Sequence, residues 1–515
     1  MKTYIIYPIM IVCLLAVSSC KKYLDVKPVG KIIPGSVGEF DALLDNDAIV
    51  RWNFIDNNLG SAIGFLTDDL QLSDGLGKVR YVGNNHPNLE RFYAYIFRQP
   101  YKKHSSTDLF WSYGYRNVFY FNNVIDGIES LKSKSAVEEA NGKAVIAQAL
   151  VNRAWWYFNA ALVFGPVYKP NGNNTEKVIP YRTQSDINAP MEELSSQEEM
   201  FAKVAKDIHT ALPNIPEHVN WPSRPNKVVA QTLMAYYHLF TQKYDSVAYY
   251  ANLAWTAASS KGVDAVIYDY NTLSLATPSN PAGSLLNSPD GLIRAANSRE
   301  MLYYRTPDFG AGSVTGTPSY PSDELIALHD KNNDMRYKWF YTLTAGYKST
   351  FNGVTYDDGQ RVQNFRSASN ATSTQNGKTI MTVGFTYPEL LLMRAEAYAR
   401  TNRLADAIAD VNTLRRYRYK PGTPALVVGS QDEVITAVLD ERRRELAILG
   451  LKRFMDLKRF SLEVGKPWCK TRISHQFDGQ TYQGTVDSKD FIFPIPNTVI
   501  QYNPQWGVPL DNRVW

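Results

Sequence analysis

Two adjoining amphipathic patterns near residue 400 constrain the fold of this chain more than any other feature. In the first pattern, apolar side chains recur at helical spacing at Leu391, Leu392, Ala395, Tyr398 and Ala399. The second pattern repeats this spacing at Leu404, Ala407, Ile408, Val411 and Leu414. Thr401 and Asn402 interrupt the periodicity between them. Because a short polar break between two helical faces is typical of a tight turn, the sequence predicts an antiparallel helix pair.

A second helix pair with related spacing is predicted over residues 228–256. Tyr237 and Ser246 are nine residues apart, as are Tyr398 and Ala407 in the pair described above. The spacing of small and aromatic residues is that of a tetratricopeptide unit, in which small side chains let the two helices approach closely. The recurrence therefore indicates an internal helical repeat.

The remaining chain alternates between helical and irregular segments. Further helices are predicted over residues 111–131, 137–164 and 197–212. Other stretches are rich in Gly, Ser, Asn, Pro and aromatic residues, with only short β-like runs. These patterns place the repeat units and the variable loops in alternating order. Repeat units lie within about residues 107–256 and 386–460, and variable loop-rich regions at about 51–105 and 262–385.

A strongly charged helical pattern covers residues 432–460. Asp432 is the predicted N-cap, and Asp440 and Glu441 stand four and three residues before Arg444, which allows ion pairs along one helix face. Further cations follow at Lys452, Arg453, Lys458 and Arg459. Taken alone, a charge run of this kind predicts a solvated face.

Several literal strings in the chain carry a family resemblance. The segment ERRRELAILGLKRFMDLKRF resembles the C-terminal signature of the SusD/RagB family of Bacteroidetes outer-membrane lipoproteins, and the preceding helix pair resembles that family's last tetratricopeptide unit. NRAWWYFNAALVFGPV, CKKYLDVKP and FIFPIPNTVIQYNP are similar to further family segments. The chain departs from the signature at Ile448, Leu449 and Lys452. The resemblance implies a mainly α, SusD-like fold, with a tetratricopeptide-like scaffold, long irregular loops and a few short strands. It also implies that the arginine-rich helix of the signature is packed within the fold.

The N-terminus has the pattern of an export signal. An apolar run at residues 4–17 follows Lys2 and precedes Ser18-Ser19-Cys20. It is too short to span a membrane, which takes about 20 residues. A Cys directly after small residues indicates a lipoprotein signal of residues 1–19 and acylation of Cys20; the alternative is an ordinary signal peptide with an incidental Cys. We expect one SusD-like domain over residues 20–515, anchored by lipid in the outer membrane and facing the cell exterior.

Charge and cysteine content exclude some functions. The formal net charge of +5 is too small to indicate nucleic-acid binding, and no basic-aromatic motif supports it. With Cys13 in the signal and Cys20 acylated, Cys469 is alone, so no intrachain disulfide is expected.

No sequence motif indicates catalysis, a metal or a cofactor. None of the 7 His residues has a metal-ligand spacing. Asp330, Asn332 and Asp334 open like a calcium loop, but Met335 and Tyr341 stand where such a loop needs Gly and Glu. The resemblance instead assigns Asp334-Met335-Arg336 to a structural Asp-x-Arg element. Asp68 and Asp69 are the remaining candidates for a glycosidase carboxylate pair, although adjacent acids are common in loops.

Binding is therefore the predicted activity. The resemblance implies a surface protein that captures a glycan and passes it to a SusC-like TonB-dependent transporter. A RagB-like peptide-binding role is the alternative, and a surface enzyme is a third reading. Aromatic rings with amide and guanidinium donors suit sugar recognition, and the loops carry both. Predicted contacts in the first loop region are Trp52, Arg80, Tyr81, Asn84, Asn85 and His86, and those in the second are Tyr303, Tyr304, Arg305, Phe309 and Tyr320. For each residue the alternative is packing within the loops.

Overall fold

A computed structural model of the 515-residue chain gives the fold. It describes residues 34–46, 49, 62–83, 89–101, 109–132, 134–279, 284–294, 297–305, 319–364, 382–447 and 450–513. Some predicted features lie outside the described residues, namely the signal segment, Cys20, Trp52, Asn84, Asn85, His86 and Phe309.

Helices dominate the described chain, as the sequence patterns predict. In the N-terminal half these are α1 (Val37–Leu43), α2 (Leu89–Tyr95), α3 (Leu109–Ser130), α4 (Ala136–Phe164), α5 (Gln197–Ala211), α6 (Lys227–Phe240) and α7 (Tyr244–Ala258). In the C-terminal half they are α8 (Asp323–Ala327), α9 (Met335–Phe340), α10 (Tyr387–Arg400), α11 (Leu404–Arg418), α12 (Gln431–Glu445), α13 (Gly450–Phe460) and α14 (Asn497–Gln501). The mainly α class is therefore confirmed.

The strands are short and pair in small antiparallel ladders. They are β1 (Leu70–Gln71), β2 (Lys177–Pro180), β3 (Leu194–Ser196), β4 (Ser274–Leu275), β5 (Leu286–Ser288), β6 (Gly291–Leu292), β7 (Met301–Tyr303), β8 (Tyr320–Pro321), β9 (Tyr341–Ala345), β10 (Lys348–Phe351), β11 (Val354–Asp357), β12 (Gln360–Asn364), β13 (Phe385–Thr386), β14 (Arg472–Phe477) and β15 (Gln480–Thr485). Strand β1 pairs with β8 and β7 with β13, so some ladders join segments far apart in sequence. These ladders therefore fasten the loops to the helical body.

The two predicted helix pairs are α6–α7 and α10–α11, and they share one turn geometry. Gln242 and Asn402 take the same place in the two turns and both have left-handed backbone, with φ of +52° and +61°. The amide of Arg403 then donates to the carbonyl of Tyr398 at 2.7 Å, which closes the end of α10. Helix α7 packs on α10, so the two pairs stack directly. The helical repeat predicted from spacing is confirmed.

Small residues lie where the paired helices meet. Ala395 and Ala407 are completely buried between α10 and α11. Tyr398 is nearly buried, and its hydroxyl donates to Oδ1 of Asn252 on α7 at 3.2 Å. Because methyl side chains occupy the contact, the helices approach closely while the tyrosine links one pair to the next.

Helix α4 forms the centre of the N-terminal half. It begins with a capping box between Ser135 and Glu138, and most of its length is buried against α3 and α5. Arg153 of α4 pairs with Asp207 of α5 through contacts of 2.7 and 2.8 Å. The helix ends at Gly165, where an added Cβ would lie 2.4 Å from the carbonyl of Ala161. The close approach of the Ala161 carbonyl explains why glycine follows the last residue of this helix.

The charged helices α12 and α13 are buried. The solvated face that the charge run alone predicts is therefore wrong, and the packed arginine-rich helix that the family resemblance implies is present. Arg442 donates to Asp456 at 2.8 Å and to Glu389 of α10 at 3.1 Å. Arg459 donates to Asp456 and to Glu396 of α10, each at 2.9 Å. All five side chains are less than a tenth exposed. The charges therefore pair with carboxylates that α10 supplies, which a pattern within α12 and α13 cannot reveal.

The capping and ion pairs of α12 also differ in detail from the prediction. Ser430 is the N-cap in place of Asp432, because its hydroxyl accepts from the Glu433 amide in a capping box. The predicted pair of Glu441 with Arg444 is present at 2.6 Å, and Glu441 also accepts from Arg336 at 2.7 Å. Because Arg336 belongs to α9, this second contact also attaches α12 to the interior of the fold.

The Asp-x-Arg element has the structural role that the resemblance implies. Asp334 caps α9 by accepting from the amide of Arg336 at 3.0 Å, and it also accepts from the guanidinium of that residue at 2.9 Å. Both side chains are fully buried. Arg336 then reaches Glu445 of α12 at 3.1 Å. The element therefore joins α9 to α12 and is no calcium loop.

Ala407→Phe is expected to destabilise the protein. The larger side chain has no space at the α10–α11 contact, and overpacking of this kind costs about 1–3 kcal/mol. Chemical denaturation followed by circular dichroism measures the change. Ala409→Phe is the matched control, because Ala409 is exposed on the same helix. Equal stability of the Ala407 variant and the parent would contradict the observed contact.

Glu441→Gln is expected to destabilise the protein at neutral pH but much less in acid. Burial opposes the charge of Glu441, yet Arg336 and Arg444 lower its pKa to about 2. The unfolded pKa is about 4.3, so the carboxylate stabilises the fold above about pH 5, and this contribution is lost as the pH falls toward 2. Removing one partner of a buried pair costs about 3–5 kcal/mol at neutral pH. Urea titrations at several pH values measure the difference.

Asp440→Asn provides a control of opposite sign on the same helix. Burial raises the pKa of Asp440 despite nearby Arg444 and Arg443. Because the folded pKa is raised, the ionised carboxylate opposes folding, so Asp440→Asn is expected not to destabilise the protein at neutral pH. A loss of stability in Glu441→Gln that does not depend on pH would contradict the assignment of Glu441 as a stabilising charge.

Candidate functional site

The described candidates for ligand contact are mostly inside the protein. Tyr81, Tyr303, Tyr304, Arg305 and Tyr320 are each at most 4% exposed. Their side chains therefore pack within the fold. Of the residues predicted from the loops and described here, Arg80 is exposed.

Tyr303 shows why these rings are buried. Its hydroxyl donates to Oδ1 of Asn152 on α4 at 2.5 Å, and its ring meets Trp155 edge to face at 5.7 Å. Arg305 stacks on the same ring, 4.0 Å from its centre, and also donates to Asn152. Burial raises the pKa of Tyr303 to about 12. The segment 303–305 is thus a supporting wall of the helical body, and composition alone could not distinguish that role from ligand contact.

Asp68 and Asp69 are held in ion pairs and offer no catalytic carboxylate pair. Arg453 donates to both oxygens of Asp68 at 2.7 and 2.8 Å, and Arg443 donates to Asp69 at 2.8 Å. Lys470 adds a contact of 2.5 Å to Asp68. Burial opposes the charge of Asp68, but Arg453 outweighs it and holds the pKa of that carboxyl well below its usual range. The two acids therefore fix the first loop region to α12 and α13.

The two predicted loop regions do meet in the structure. Gln71 of β1 pairs with Tyr320 of β8, and the side chain of Gln71 donates to the carbonyl of Pro321 at 3.2 Å. A π-helix follows at Leu76–Val82 and carries Arg80. The β10–β11 hairpin closes over it, with Tyr356 against Gly75. The two loop regions therefore lie side by side, although their described aromatic candidates are buried.

A groove of about 520 Å³ lies elsewhere on the surface, between α1, the start of α4 and the segment joining α5 to α6. We call it the Trp221 groove. Trp221 is 57% exposed at this groove. Polar side chains also line it, namely Asp41, Asp45, Glu138, Asn141, Gln148, His218, Asn220 and Arg224. An exposed indole beside amides and carboxylates combines an apolar face with many hydrogen-bonding groups.

A rigid turn holds Trp221 in this exposed position. The amide of Arg224 donates to the carbonyl of Trp221 at 3.0 Å, which closes the turn. The carbonyl of Pro222 accepts from the Tyr304 amide at 2.7 Å, and that of Ser223 accepts from the Arg305 guanidinium at 2.9 Å. Tyr304 and Arg305, which the sequence predicts to contact ligand, therefore lie behind this turn and support it.

Arg224 fixes the opposite wall of the Trp221 groove. Its guanidinium pairs with the carboxylate of Asp41 and donates to the Asp41 carbonyl at 2.9 Å. It also donates to Oε1 of Gln148 on α4 at 2.8 Å and reaches Asp45 at 3.5 Å. Its side chain is only 11% exposed. The arginine thus ties α1 to α4 from inside the groove, and its charge is balanced by neighbouring carboxylates.

The sequence predictions do not include Trp221. The residue lies in the segment PEHVNWPSRPNK between two helices, outside both loop regions chosen for their composition. The available signal for an exposed ring was a tryptophan in a short segment rich in Pro and Asn. Such a segment forms a surface connection, so it cannot bury a large ring within a helix pair. A connection between repeat helices therefore supplies the exposed aromatic residue.

A second groove of about 350 Å³ lies at the C-terminal end of α11. Its lining includes Arg415, Arg416 and Lys420. Cations are favoured at a helix C-terminus by the helix dipole, and Arg415 also stacks 3.9 Å from the ring centre of Tyr419. Tyr419 is buried, so this groove does not present it as an exposed ring. The helix dipole and the stacking of Arg415 on Tyr419 are sufficient to explain why cationic side chains lie here.

Among the described residues, no group of three or more His, Cys, Asp or Glu side chains is placed to hold a metal ion. In the same residues, no helix combines the length and apolar character needed to cross a membrane.

Comparisons with known sequences identify the class of protein. The profile described as SusD family matches residues 309–506, and the profile described as starch-binding associating with outer membrane matches residues 53–239. Among proteins of curated function, none matches this chain. The helical-repeat scaffold and the two matching profiles define a protein of the SusD-like class. The chain belongs to the SusD/RagB family.

Solved structures share the fold over nearly the whole chain. A SusD superfamily protein of Bacteroides thetaiotaomicron matches with a TM-score of 0.66 at 15% identity, over 91% of this chain and 98% of the other. A SusD-like carbohydrate binding protein of Bacteroides vulgatus has a TM-score of 0.61 at 17% identity, over 92% and 97%. A SusD superfamily protein of Bacteroides fragilis has a TM-score of 0.61 at 16% identity, over 91% and 98%. At these identities the likeness concerns the fold.

Proposed function

We propose that this chain is a cell-surface glycan-binding lipoprotein. It captures an oligosaccharide or polysaccharide and delivers it to a SusC-like TonB-dependent transporter in the outer membrane. The observation that supports this role most directly is the exposed indole of Trp221 at a polar groove of about 520 Å³. The family membership is consistent with it, because one matching profile is described as starch-binding and associated with the outer membrane.

The groove suits sugar recognition for physical reasons. One face of a pyranose ring carries C–H groups that stack on an aromatic ring, while its hydroxyls need donors and acceptors around the edge. Trp221 supplies the aromatic ring, and Asn141 and Asn220 supply amides. The turn and Arg224 hold these groups in place before a ligand arrives, which lowers the entropy lost on binding.

A peptide ligand is less well supported by the same groove. Recognition of a peptide carboxylate would use an arginine with available donors. The arginine that lines the Trp221 groove is Arg224, and its guanidinium is occupied by Asp41 and Gln148. Peptide capture therefore remains an outcome of the binding test rather than a second proposal.

Membrane attachment rests on the N-terminal sequence. Val17-Ser18-Ser19-Cys20 has the pattern of a lipoprotein acylation site, and we place the lipid on Cys20 with the mature domain over residues 20–515. Each methylene buried in the bilayer contributes about 0.8 kcal/mol, so two or more acyl chains hold a protein stably. We further propose that the anchored protein faces the cell exterior, where it would meet glycans.

Trp221→Ala is expected to weaken glycan binding and leave the fold intact. An exposed ring that stacks on a sugar contributes about 1–2 kcal/mol, so the Kd should rise about five- to thirtyfold. Isothermal titration calorimetry against a panel of polysaccharides measures binding, and circular dichroism checks the fold. Trp221→Tyr should retain much of the affinity, because it keeps an aromatic face.

Tyr249→Ala is the matched control for loss of an exposed ring. Tyr249 is 61% exposed on α7 and is not among the residues that line the Trp221 groove. Its removal is expected to leave binding unchanged. If Trp221→Ala binds every active glycan as the parent does, the ligand site lies outside this groove. If the parent binds peptides and no glycan, glycan capture is refuted.

Cys20→Ala is expected to release the protein from the membrane fraction. Without the thiol no acyl chain is attached, and the hydrophobic contribution of the lipid is lost. Fractionation and blotting of cells that express each variant measure this. Cys469→Ala is the control and should remain in the membrane fraction. A membrane-bound Cys20 variant with normal removal of residues 1–19 would contradict lipid anchoring, and protease access on intact cells tests the outward orientation.

A further inference from the structure

The charges around the Trp221 groove are predominantly negative. Asp41, Asp45 and Glu138 line it, and the first two have side chains that are 41% and 58% exposed. Glu138 is also exposed. The Ser135 amide and hydroxyl donate to Glu138 at 2.9 Å each and lower its pKa, so it is ionised at neutral pH. Three carboxylates therefore face one small surface.

The cationic side chains available to balance this charge are few. Among the described residues that line the groove, Arg224 is cationic and His218 can become so. The side chain of Arg224 is 11% exposed, and its guanidinium is directed to Asp41, Asp45 and Gln148. It offsets one of the carboxylates and does not present its charge to solvent. The described residues that line the groove thus carry a net negative formal charge.

This local charge is opposite to the charge of the whole chain, which is +5. The sum over the chain would favour attraction of acidic polymers at long range. Contact within the groove is decided by nearby charges, since salt screens interactions beyond about 8–10 Å at physiological ionic strength. A uronate or sulfate beside Asp45 and Glu138 would meet like charge at short distance, and the described residues that line the groove include no exposed lysine or arginine.

We infer that the Trp221 groove selects glycans without acidic groups and rejects those that carry uronate or sulfate. This inference rests on the proposed glycan-binding function and specifies the class of ligand. Asp45 and Glu138 act as specificity-determining residues through repulsion of anions, while Trp221 supplies the stacking face common to both kinds of glycan. Discrimination by repulsion needs no additional contact with the accepted ligand.

The test compares matched pairs of neutral and acidic glycans. The probes are methyl-esterified polygalacturonate with polygalacturonate, and a linear xylo-oligosaccharide with the same oligosaccharide carrying one glucuronate. For whichever pair binds, the parent should prefer the neutral member by about tenfold or more at low salt, as expected for short-range like-charge repulsion. This preference should diminish as salt is raised toward 1 M, where the Debye length falls to about 3 Å.

Two variants test whether the groove carboxylates cause the preference. The double variant Asp45→Asn with Glu138→Gln should reduce the preference to about threefold or less, mainly through tighter binding of the acidic member. Gln at position 138 can still complete the capping box, so α4 keeps its N-terminus. Glu139→Gln is the control: it removes the same charge from the next residue, which pairs with Lys143 at 2.8 Å and does not line the groove. The Glu139→Gln variant should prefer the neutral glycan as strongly as the parent does.

The outcomes separate this inference from the proposed function. If no glycan of either kind binds, the proposed function fails and the inference fails with it. If both members of a pair bind equally, and Trp221→Ala weakens both, the function stands and the selectivity is refuted. A preference for neutral glycans that persists in the double variant also refutes the role of these carboxylates. If binding of an acidic glycan is lost in Arg416→Ala but kept in Trp221→Ala, the acidic glycan binds in the second groove. That result would support the selectivity of the Trp221 groove.

Discussion

The fold depends on the pairing of buried arginines with buried carboxylates along α12 and α13. Arg442 and Arg459 are both within 3 Å of Asp456, and each also contacts a glutamate of α10. Burial of an unpaired ion costs several kcal/mol, so these helices can occupy the interior only while every charge has its partner. The pairing therefore specifies how α12 and α13 lie against α10. Packing of apolar residues alone would allow more than one register.

Similar ion pairs attach the loops to these helices. Arg443 and Arg453 extend from α12 and α13 to Asp69 and Asp68, which lie within the first loop region. Glu441 and Glu445 bind Arg336, which fixes α9 and the strands that follow it. Loop segments distant in sequence are thus attached to one pair of helices. A rigid helical body can then hold variable loops at defined positions, as a binding scaffold requires.

Sequence reasoning was reliable where the determinant is local. Helical periodicity and a two-residue break are sufficient for α10–α11, and the literal strings are sufficient for the family. Burial of the arginines depends on partners far along the chain, as with Arg443 and Asp69, and a single charge run cannot show these partners. Likewise, the position of Tyr303 in a region that the sequence marks as loop-rich does not reveal that its side chain packs on α4. The sequence therefore predicted the scaffold, but it predicted loop tyrosines where the structure exposes Trp221 on a connection between helices.

The position of Trp221 connects the interior of the protein to its surface chemistry. Tyr304 and Arg305 are buried, and their backbone and guanidinium groups hold the turn that carries the indole. Arg224 of the same turn joins α1 to α4, so the two walls of the groove are fixed together. Because this order exists before binding, ligand affinity need not offset the cost of organising the site. A fixed groove also keeps its carboxylates at constant distance from the indole, and repulsion between fixed charges discriminates ligands better than repulsion between mobile ones. Selectivity in this protein thus follows from the local arrangement of charge and not from its net value.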